Sequence, residues 1–318
     1  MGPLLCTLLV YHLNKQCRRV ANVLLGHFYE PHRDIVCVTG GSSGLGKEIA
    51  RVFSESGAVT VVLDITIPPV SDQLPNVKYY LCDVSNCNQI IEIGEVITRE
   101  VGIVSILVNN AGISHGKSLL DLNYDEIEKT IRVNLLSSFY TIKVFLPNML
   151  KQKRGYIVTV ASVLGYMSPA RLSDYGASKS GLIALHESLT YELGPPSLSP
   201  NGIKTLLICP GQLKTNMFSS IQSPSSLFAP ELEPSFVAKK LINALELGRR
   251  GEIKIPFYGN FMPVMRAIPW PAVEFLRDIS GMDESMKKFK SYTSKLSGIS
   301  DQGSKNQSEA NSITESTQ

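Results

Sequence analysis

The sequence predicts an α/β fold built on a single open, doubly wound parallel sheet. Strand-like and helix-like stretches alternate between residues 34 and 256, which is the pattern of repeated strand–helix–strand units. The apolar runs Val59–Leu63 and Ile106–Val108 do not alternate with polar residues, as is typical of strands buried on both faces. A glycine-rich turn, Thr39–Gly46, separates the first strand-like run from the first helical pattern. These observations predict a ligand site beyond the carboxyl ends of the strands.

The individual elements follow from the same patterns. Strands are expected at Asp34–Thr39, Ala58–Asp64, Val77–Cys82, Ser105–Asn109, Gly155–Ala161, Ile203–Cys209 and Glu252–Ile255. Helices are expected near 45–56, 86–101, 124–151, 175–193 and 235–248. Because no internal repeat is visible, residues 34–256 are predicted to form one Rossmann domain.

The glycine-rich turn is predicted to hold the pyrophosphate of a dinucleotide. Glycine at positions 40, 44 and 46 lets the backbone turn sharply and approach a phosphate closely. The first amide groups of the following helix then point toward that anion, at the positive end of the helix dipole. Glycine-rich turns that serve only as structural loops are common. Here a strand precedes the turn and a helical pattern follows it, which favours the dinucleotide site.

Asp64 indicates which dinucleotide the chain uses. It ends the second strand, eighteen residues after Gly46. A carboxylate at that place accepts hydrogen bonds from the hydroxyl groups of the adenosine ribose and repels a 2′-phosphate. No Arg or Lys stands within the glycine turn or directly after Asp64. The sequence therefore favours NAD over NADP, although a turn or capping role would also explain an Asp.

Tyr175 and Lys179 are candidate catalytic residues. They lie four positions apart on a predicted helix and therefore share one face. A phenol with a pKa near 10 is a poor base at neutral pH. A neighbouring ammonium group stabilises the phenolate and lowers that pKa. The same spacing occurs at Tyr11 and Lys15 in the basic N-terminal segment, where we do not expect catalysis.

Taken together, the motifs between residues 34 and 256 resemble those of the short-chain dehydrogenase/reductase family. The resemblance implies that Tyr175 is the general acid/base and that Lys179 lowers its pKa and binds the nicotinamide ribose. It also implies that Ser162 holds the substrate oxygen and that Asn134 helps to position a proton-relay water. The motifs occur in the family's order and are TGGSSGLG (39–46), Asp83, NNAG (109–112), Asn134, Ser162, YGASK (175–179) and PGQLKT (210–215).

The same resemblance implies which residues contact the cofactor. Asp83 and Val84 would border the adenine, and Thr215 would contact the nicotinamide end. One departure is Val104-Ser105, where relatives often carry an Asp before the fourth strand, and it touches no chemistry. The cofactor-binding residues predicted in this way are Gly40, Ser42, Ser43, Gly44, Leu45, Gly46, Asp64, Asp83, Val84, Asn110, Ala111, Gly112, Tyr175, Lys179, Pro210, Gly211 and Thr215.

Residues 1–30 are predicted to form an amphipathic helix on a membrane surface. The apolar stretch Pro3–Leu13 is too short to span a bilayer, which needs about 20 apolar residues. A helix here would gather apolar side chains on one side and place Lys15, Arg18 and Arg19 elsewhere. The alternative is a helix packed on its own domain or on a partner subunit.

Two further segments follow the predicted domain. Residues 257–282 combine apolar and aromatic side chains with prolines, which forbid one long helix and predict short helical pieces with an apolar surface. Such pieces could cover a substrate pocket, touch a membrane or complete the core. Residues 283–318 are polar, lack a core pattern and are predicted to be a disordered tail.

Composition and charge exclude several classes of function. A formal net charge of +3 and 19% charged residues do not suggest a nucleic-acid binder. The six cysteines show neither metal-ligand spacing nor a disulfide framework, so we expect no metal site and a reducing compartment. With 43% hydrophobic residues the chain can bury a large core.

The favoured function is hydride transfer between NAD and the alcohol or ketone carbon of a hydrophobic substrate, such as a lipid, retinoid or steroid. The terminal segments and Asp64 are similar to a membrane- or lipid-droplet-associated branch that comprises retinol and 17β-hydroxysteroid dehydrogenases. That similarity implies the endoplasmic reticulum membrane or a lipid droplet, with the catalytic domain cytosolic. A cytoplasmic location is the alternative.

Two other functions stay open at the level of sequence. One is a soluble NAD-dependent polyol or sugar-alcohol dehydrogenase whose N-terminal helix serves oligomerisation. The other is a non-catalytic, membrane-docked scaffold that binds NAD or lipid. In either case a homodimer through the long helices near 124–151 and 175–193 would be typical of such folds.

Overall fold

The structure, a computed structural model, describes residues 29–194, 201–218, 230–281, 283 and 286. The predicted membrane-surface helix of residues 1–30 lies outside the described residues, apart from Tyr29 and Glu30. The predicted disordered tail also lies outside them, apart from Asp283 and Met286.

The described residues form an α/β fold with one seven-stranded parallel sheet of order β3-β2-β1-β4-β5-β6-β7. The order reverses at β1, so the ends of β1 and β4 flank the crevice in which doubly wound sheets bind ligands. The predicted fold class is confirmed. The strands are β1 (Ile35–Thr39), β2 (Val59–Asp64), β3 (Val77–Leu81), β4 (Ile106–Asn109), β5 (Gly155–Val160), β6 (Ile203–Pro210) and β7 (Gly251–Ile255).

Helices cover both faces of the sheet, which explains the uninterrupted apolar strands. In β1, Val36 and Val38 join a core on one face, whereas Cys37 between them joins the core on the other face. The longer helices are α1 (Gly44–Glu55), α2 (Cys87–Glu100), α3 (Tyr124–Ile131), α4 (Ser137–Gln152), α5 (Ser173–Glu192) and α6 (Pro234–Glu246). Side chains of α1 and α6 line the first core, and those of α2, α4 and α5 line the second.

One predicted helix is divided in the structure. The segment expected as a single helix near 124–151 consists of α3, a π-helical turn at Arg132–Leu136, and α4. Such a turn inserts one extra residue into the helical repeat and is frequent at functional sites. The hydrophobic pattern does not reveal it, because the helical direction continues on both sides.

The C-terminal extension, which we define as residues 257–281 with Asp283 and Met286, consists of short helical pieces. These are a 3₁₀ turn at Phe257–Asn260, α7 (Met262–Met265) and α8 (Trp270–Ser280). Beyond α8, Asp283 pairs with Arg277, and the Met286 side chain is buried. Among the described residues, no helix has the length and apolar character needed to cross a membrane.

Candidate active site

The predicted site residues gather at the carboxyl edge of the sheet. Most of the predicted motifs contain or follow the last residue of a strand, and these last residues are Thr39 of β1, Asp64 of β2, Leu81 of β3, Asn109 of β4, Val160 of β5 and Pro210 of β6. In parallel sheets this edge is where ligands bind.

The glycine turn has the conformation that its residues predict. Gly40 and Gly44 have φ angles of 66° and 51°, in the left-handed region that favours glycine. A Cβ atom on Gly46 would overlap the carbonyl oxygen of Gly40, so only glycine fits there. The Asn110 side chain donates hydrogen bonds to the carbonyl oxygens of Thr39 and Gly40, at 3.0 and 3.2 Å, and holds the turn in this shape.

The start of α1 can accept an anion. Within the described part of the chain, the Ser43 side chain makes no capping hydrogen bond to the first turn of α1. The backbone amide groups of Gly44, Leu45 and Gly46 therefore point out of the helix end without that partner. The Leu45 side chain is buried in the core, so only its backbone can face a ligand. This cradle of glycine and open amides fits a dinucleotide pyrophosphate.

Thr39 joins the glycine turn to the segment after β4. Its hydroxyl oxygen accepts hydrogen bonds from the amides of Asn110 and Ala111, at 3.0 and 3.1 Å. A Cβ atom on Gly40 would lie 2.9 Å from the Ala111 Cα atom, so the two segments pack backbone against backbone. The sequence analysis missed Thr39, although a hydroxyl side chain at the end of a buried strand could have indicated it.

Asp64 lies beside the glycine turn, as its position at the end of β2 predicts. Its Oδ2 atom accepts a hydrogen bond from the Ser42 amide at 2.9 Å, and Oδ1 accepts one from the Thr66 amide at 3.2 Å. The Ser42 hydroxyl in turn donates to the Thr66 carbonyl oxygen at 2.7 Å. These bonds place a negative charge directly against the turn.

The remaining predicted cofactor residues lie on three sides of this crevice. Asp83 accepts the Ser85 amide at 2.9 Å within the loop after β3, and the Val84 side chain is buried in the core. The Gly211 amide donates to the Ile255 carbonyl oxygen at 2.6 Å. Thr215 lies next to the glycine turn, because a Cβ atom on Gly44 would be 3.5 Å from its Cγ2 atom.

Tyr175, Lys179 and Ser162 lie together in a buried setting. The Lys179 Nζ atom is 5.6 Å from the centroid of the Tyr175 ring and donates to the Val160 carbonyl oxygen at 3.0 Å. The Ser162 hydroxyl accepts the Leu164 amide at 3.1 Å and donates to the Pro210 carbonyl oxygen at 3.4 Å. These three side chains are buried.

Burial dominates the acid–base properties of this group. It raises the pKa of Tyr175 to about 12, while a hydrogen bond with Ser162 lowers that pKa and the Cys209 thiol raises it further. Burial also lowers the pKa of Lys179 to about 8, an effect that Cys209 opposes. Burial thus favours the neutral form of both groups, although Lys179 stays mostly protonated at neutral pH because its pKa of about 8 lies above 7. A nearby positive charge would shift Tyr175 toward the phenolate.

Asn134 lies in the π-helical turn and fixes the loop after β4. Its Oδ1 atom accepts the Ile113 amide at 2.7 Å, and its Nδ2 group donates to the Ile113 carbonyl oxygen at 2.9 Å and to Ser178 Oγ at 3.0 Å. A Cβ atom on Gly112 would be 3.5 Å from Asn134 Oδ1 and 3.6 Å from Lys179 Nζ. Asn134 and Lys179 thus approach Gly112 from two sides.

A buried polar cluster supports the start of α5. Thr130 donates to Asp174 Oδ2 at 2.8 Å, and His115 Nδ1 lies 3.4 Å from the same oxygen. Burial alone would raise the pKa of Asp174, but hydrogen bonds from His115, Thr130 and the Tyr175 amide outweigh it and hold that pKa below its usual value. The cluster anchors the residue that precedes Tyr175, and sequence reasoning did not find it.

Apolar residues from distant parts of the chain surround Tyr175. Phe218 makes an edge-to-face contact with its ring at a centroid distance of 5.8 Å. Leu172 and Met286 are buried in the same cluster. No sequence pattern indicates these contacts, because they depend on how loops and the C-terminal extension fold back. Among the described residues, no cluster of side chains could hold a metal ion.

Comparison with known proteins gives consistent matches. Residues 34–226 match the sequence model of a family described as short chain dehydrogenase. Human short-chain dehydrogenase/reductase 3 is 32% identical over 283 residues, which cover 86% of this chain and 92% of that protein. Human retinol dehydrogenase 10 is 34% identical over 290 residues, covering 80% and 84%. An uncharacterized oxidoreductase of Saccharomyces cerevisiae is 39% identical over 250 residues, covering 77% and 81%.

Solved structures show the same fold at lower identity. A short-chain dehydrogenase from Streptomyces avermitilis superposes with a TM-score of 0.62 at 21% identity, covering 77% of this chain and 95% of that one. An alcohol dehydrogenase from the archaeon Thermococcus sibiricus, complexed with 5-hydroxy-NADP, gives 0.59 at 22% identity, covering 70% and 95%. At these identities the likeness concerns the fold alone.

Proposed function

The chain belongs to the short-chain dehydrogenase/reductase family, in its retinol dehydrogenase-like branch, and from this premise we propose that it transfers a hydride between NAD and the alcohol or ketone carbon of a hydrophobic substrate. The observation that carries the proposal is the buried group of Tyr175, Ser162 and Lys179, placed beside a glycine turn that fits a dinucleotide. The family model and relatives support an oxidoreductase that acts on alcohols.

In this proposal Tyr175, Ser162 and Lys179 have different roles in proton transfer. A bound nicotinamide dinucleotide supplies the acceptor or donor of the hydride. The Tyr175 hydroxyl exchanges a proton with the substrate oxygen, and the Ser162 hydroxyl donates a hydrogen bond to that oxygen as negative charge develops. Lys179, when protonated, lowers the pKa of Tyr175, and the burial of both groups strengthens this interaction.

The preference for NAD rests on Asp64. Its carboxylate lies against the glycine turn through the Ser42 amide, where a 2′-phosphate would meet a like charge. Thr66, whose amide also donates a hydrogen bond to the Asp64 carboxylate, offers no positive charge for a 2′-phosphate. An adenosine ribose with a free 2′-hydroxyl is the group that suits such a carboxylate.

The preference for a hydrophobic substrate rests on the surroundings of Tyr175. Leu172 and Met286 pack with the Tyr175 side chain in an apolar cluster, with Leu164 and Phe218 packed against it. A polyol would have to leave several hydroxyl groups without partners against these side chains, which is costly. Relatives named retinol dehydrogenase 10 point in the same direction.

We also propose that the protein docks on a membrane or lipid-droplet surface, at the endoplasmic reticulum, with its catalytic domain in the cytosol. Support comes from exposed apolar side chains in the C-terminal extension, among them Phe257, Trp270 and Ile279.

A homodimer through α4 and α5 is a further part of the proposal. Phe139 on α4 and Tyr191 on α5 are exposed, and such a dimer would cover apolar side chains of this kind.

The test is NADH formation by the purified, detergent-solubilised protein, with NAD or NADP, on a panel of retinol, a 17β-hydroxysteroid, a long-chain secondary alcohol and a polyol. We expect turnover of a lipid alcohol with NAD. The Tyr175→Phe variant should lose at least about a thousandfold in kcat, because it lacks the proton-transferring hydroxyl. It should keep its NADH affinity, which protein fluorescence measures.

Each other result contradicts part of the proposal. Preference for NADP would overturn the role of Asp64, and turnover of the polyol alone would overturn the hydrophobic substrate. Unchanged turnover in Tyr175→Phe would remove the mechanism. NADH binding without turnover of any alcohol would favour a binding scaffold.

A further inference from the structure

The loop between Ser162 and Tyr175 sets the distance between two catalytic side chains. It begins as a 3₁₀ turn at Val163–Gly165 and ends where α5 begins at Ser173. Apart from that turn, the loop has no regular structure. Its position therefore depends on what holds its backbone.

Arg266 of the C-terminal extension holds the first part of this loop. Its Nε group donates to the Tyr166 carbonyl oxygen at 2.7 Å, and Nη2 donates to the Gly165 carbonyl oxygen at 3.3 Å. Both acceptors are within four residues of Ser162. A guanidinium group suits this task because its N–H donors have a fixed, planar arrangement.

Arg277 of α8 holds the second part of the loop. Its two terminal nitrogens each donate to the Ser168 carbonyl oxygen at 3.3 Å. The same guanidinium is paired with Asp283 at 2.8 and 3.0 Å, and Asp283 Oδ1 also accepts the Ala170 amide at 2.8 Å. Arg277 and Asp283 thus act as one unit on two successive parts of the loop.

The loop packs against α5 directly beside Tyr175. A Cβ atom on Gly176 would overlap the Ser168 hydroxyl, so the loop and the helix are in contact at this point. The Ser168 hydroxyl also donates to the Leu172 carbonyl oxygen at 3.1 Å, and Leu172 packs in the cluster around Tyr175. A displacement of Ser168 would therefore reach the catalytic tyrosine.

From these contacts we propose that Arg277 with Asp283, assisted by Arg266, positions the loop that joins Ser162 to Tyr175, so that the C-terminal extension is required for catalytic geometry. The inference rests on the proposed function of the Ser162–Tyr175 pair. The three residues touch neither substrate nor cofactor in this scheme and are positioning residues. Small displacements of a reacting group lower the reaction rate strongly, so contacts that hold this loop in place should affect kcat.

The test compares Arg277→Met and Arg277→Lys with the unchanged enzyme on a substrate identified by the alcohol panel. Arg277→Met should lower kcat by about tenfold or more. The KM for NAD and the affinity for NADH should change by less than about threefold, because Arg277 does not contact the glycine turn between β1 and α1. Arg277→Lys keeps one charged donor and should recover part of kcat. Arg99→Met, at an exposed surface arginine, is the matched control and should match the wild type.

The pH profile of kcat separates a role in positioning Ser162 and Tyr175 from a role in fold stability alone. The hydrogen bond with Ser162 lowers the pKa of Tyr175, so a loosened loop should move the acidic limb of the kcat profile to higher pH. The groups that face Tyr175 are Ser162, Lys179 and Cys209, and the Arg277 variants leave all three in place. An arginine that only stabilises the fold would leave this limb where it is.

The outcomes are distinguishable from failure of the proposed function. If Tyr175→Phe keeps its activity, the proposed mechanism is wrong. If Tyr175→Phe is inactive but Arg277→Met keeps its kcat and pH limb, only the positioning role is overturned. Equal losses of kcat and NADH affinity would also overturn it. Should Arg277→Met not fold, Arg277→Lys and Asp283→Ala decide, since each weakens the same contacts, and an unchanged kcat in both would contradict the proposal.

Discussion

Lys179 illustrates, at the scale of one residue, how a buried titratable side chain can cost stability. Burial lowers its pKa to about 8 in the folded protein, against about 10.4 for an exposed lysine. The folded state therefore disfavours the charged amine, at a cost of about 3 kcal/mol at neutral pH. The hydrogen bond to the Val160 carbonyl oxygen returns about 1 kcal/mol.

We expect Lys179→Met to abolish turnover yet raise the free energy of unfolding by about 2 kcal/mol at neutral pH. The gain should shrink as pH rises from 8 through the unfolded pKa, because the unfolded wild type then loses its proton as well. Urea denaturation at neutral and alkaline pH measures this difference.

Lys204 provides the matched control for Lys179. It is buried at the amino end of β6, and burial lowers its pKa to about 8 as well. Lys204→Met should show a similar dependence of stability on pH while retaining turnover. A loss of stability in Lys179→Met at neutral pH would mean that its hydrogen bond outweighs the cost of burial.

At the scale of elements, the π-helical turn at Arg132–Leu136 joins the helix to the loop after β4. Asn134→Ala should lower the free energy of unfolding by about 1–3 kcal/mol, because it leaves the part-buried amide and carbonyl of Ile113 without their partner. It should also lower kcat, since Gly112 beside Lys179 loses its support. Thermal unfolding and steady-state kinetics check both effects.

Ser178→Ala separates the contributions of that network. It removes the bond from Asn134 Nδ2 and the bond that Ser178 Oγ donates to the Tyr175 carbonyl oxygen, and should cost about 1–2 kcal/mol. Equal losses in both variants would mean that the two bonds to Ile113 stabilise the fold no more than the single bond from Ser178 to Tyr175, and this account of the turn would be wrong.

The elements also show what the sequence could and could not predict. The strands could be predicted because burial on both faces leaves a local signature, as in Val59–Leu63. The position of Asp64 at a strand end and the spacing of Tyr175 and Lys179 are equally local. The π-helical turn left no such mark, because one inserted residue hardly alters the apolar pattern.

Contacts between distant segments could not be predicted at all. Arg277 donates a hydrogen bond to Ser168, which lies 109 positions earlier in the chain. Nothing in the sequence of either segment indicates that the two are in contact. The same holds for Met286 and Phe218 around Tyr175. The apolar character of the C-terminal extension is visible in the sequence, but nothing in the sequence marks Arg266 and Arg277 as contacts of the loop.

At the scale of the whole molecule, the C-terminal extension presents an apolar surface. Trp270 is 73% exposed, and Phe257, Phe275 and Ile279 are each more than 60% exposed. Exposed apolar patches of this kind mark interaction sites. Trp at such a surface suits the boundary between water and lipid.

We expect Trp270→Ala with Phe275→Ala to weaken the affinity of the full chain for phosphatidylcholine vesicles, measured by flotation, by about thirtyfold or more, because each lost aromatic side chain removes about 1–2 kcal/mol of apolar burial. Phe236→Ala, at an exposed phenylalanine on α6, is the matched control. NADH affinity should be unchanged in both. Equal flotation of the double variant and the wild type would show that lipid binding does not use this surface.

The parallel order of the sheet has a consequence for the time course of synthesis. Val36 in β1 pairs with Ile106 in β4, 70 positions later. At 5–20 residues per second, a ribosome needs about 4–14 s to make that stretch. One edge of β1 therefore stays unpaired until β4 has been translated. The contacts from Arg266 and Arg277 come later still, so the glycine turn can form in the nascent chain well before the loop between Ser162 and Tyr175 is held in place.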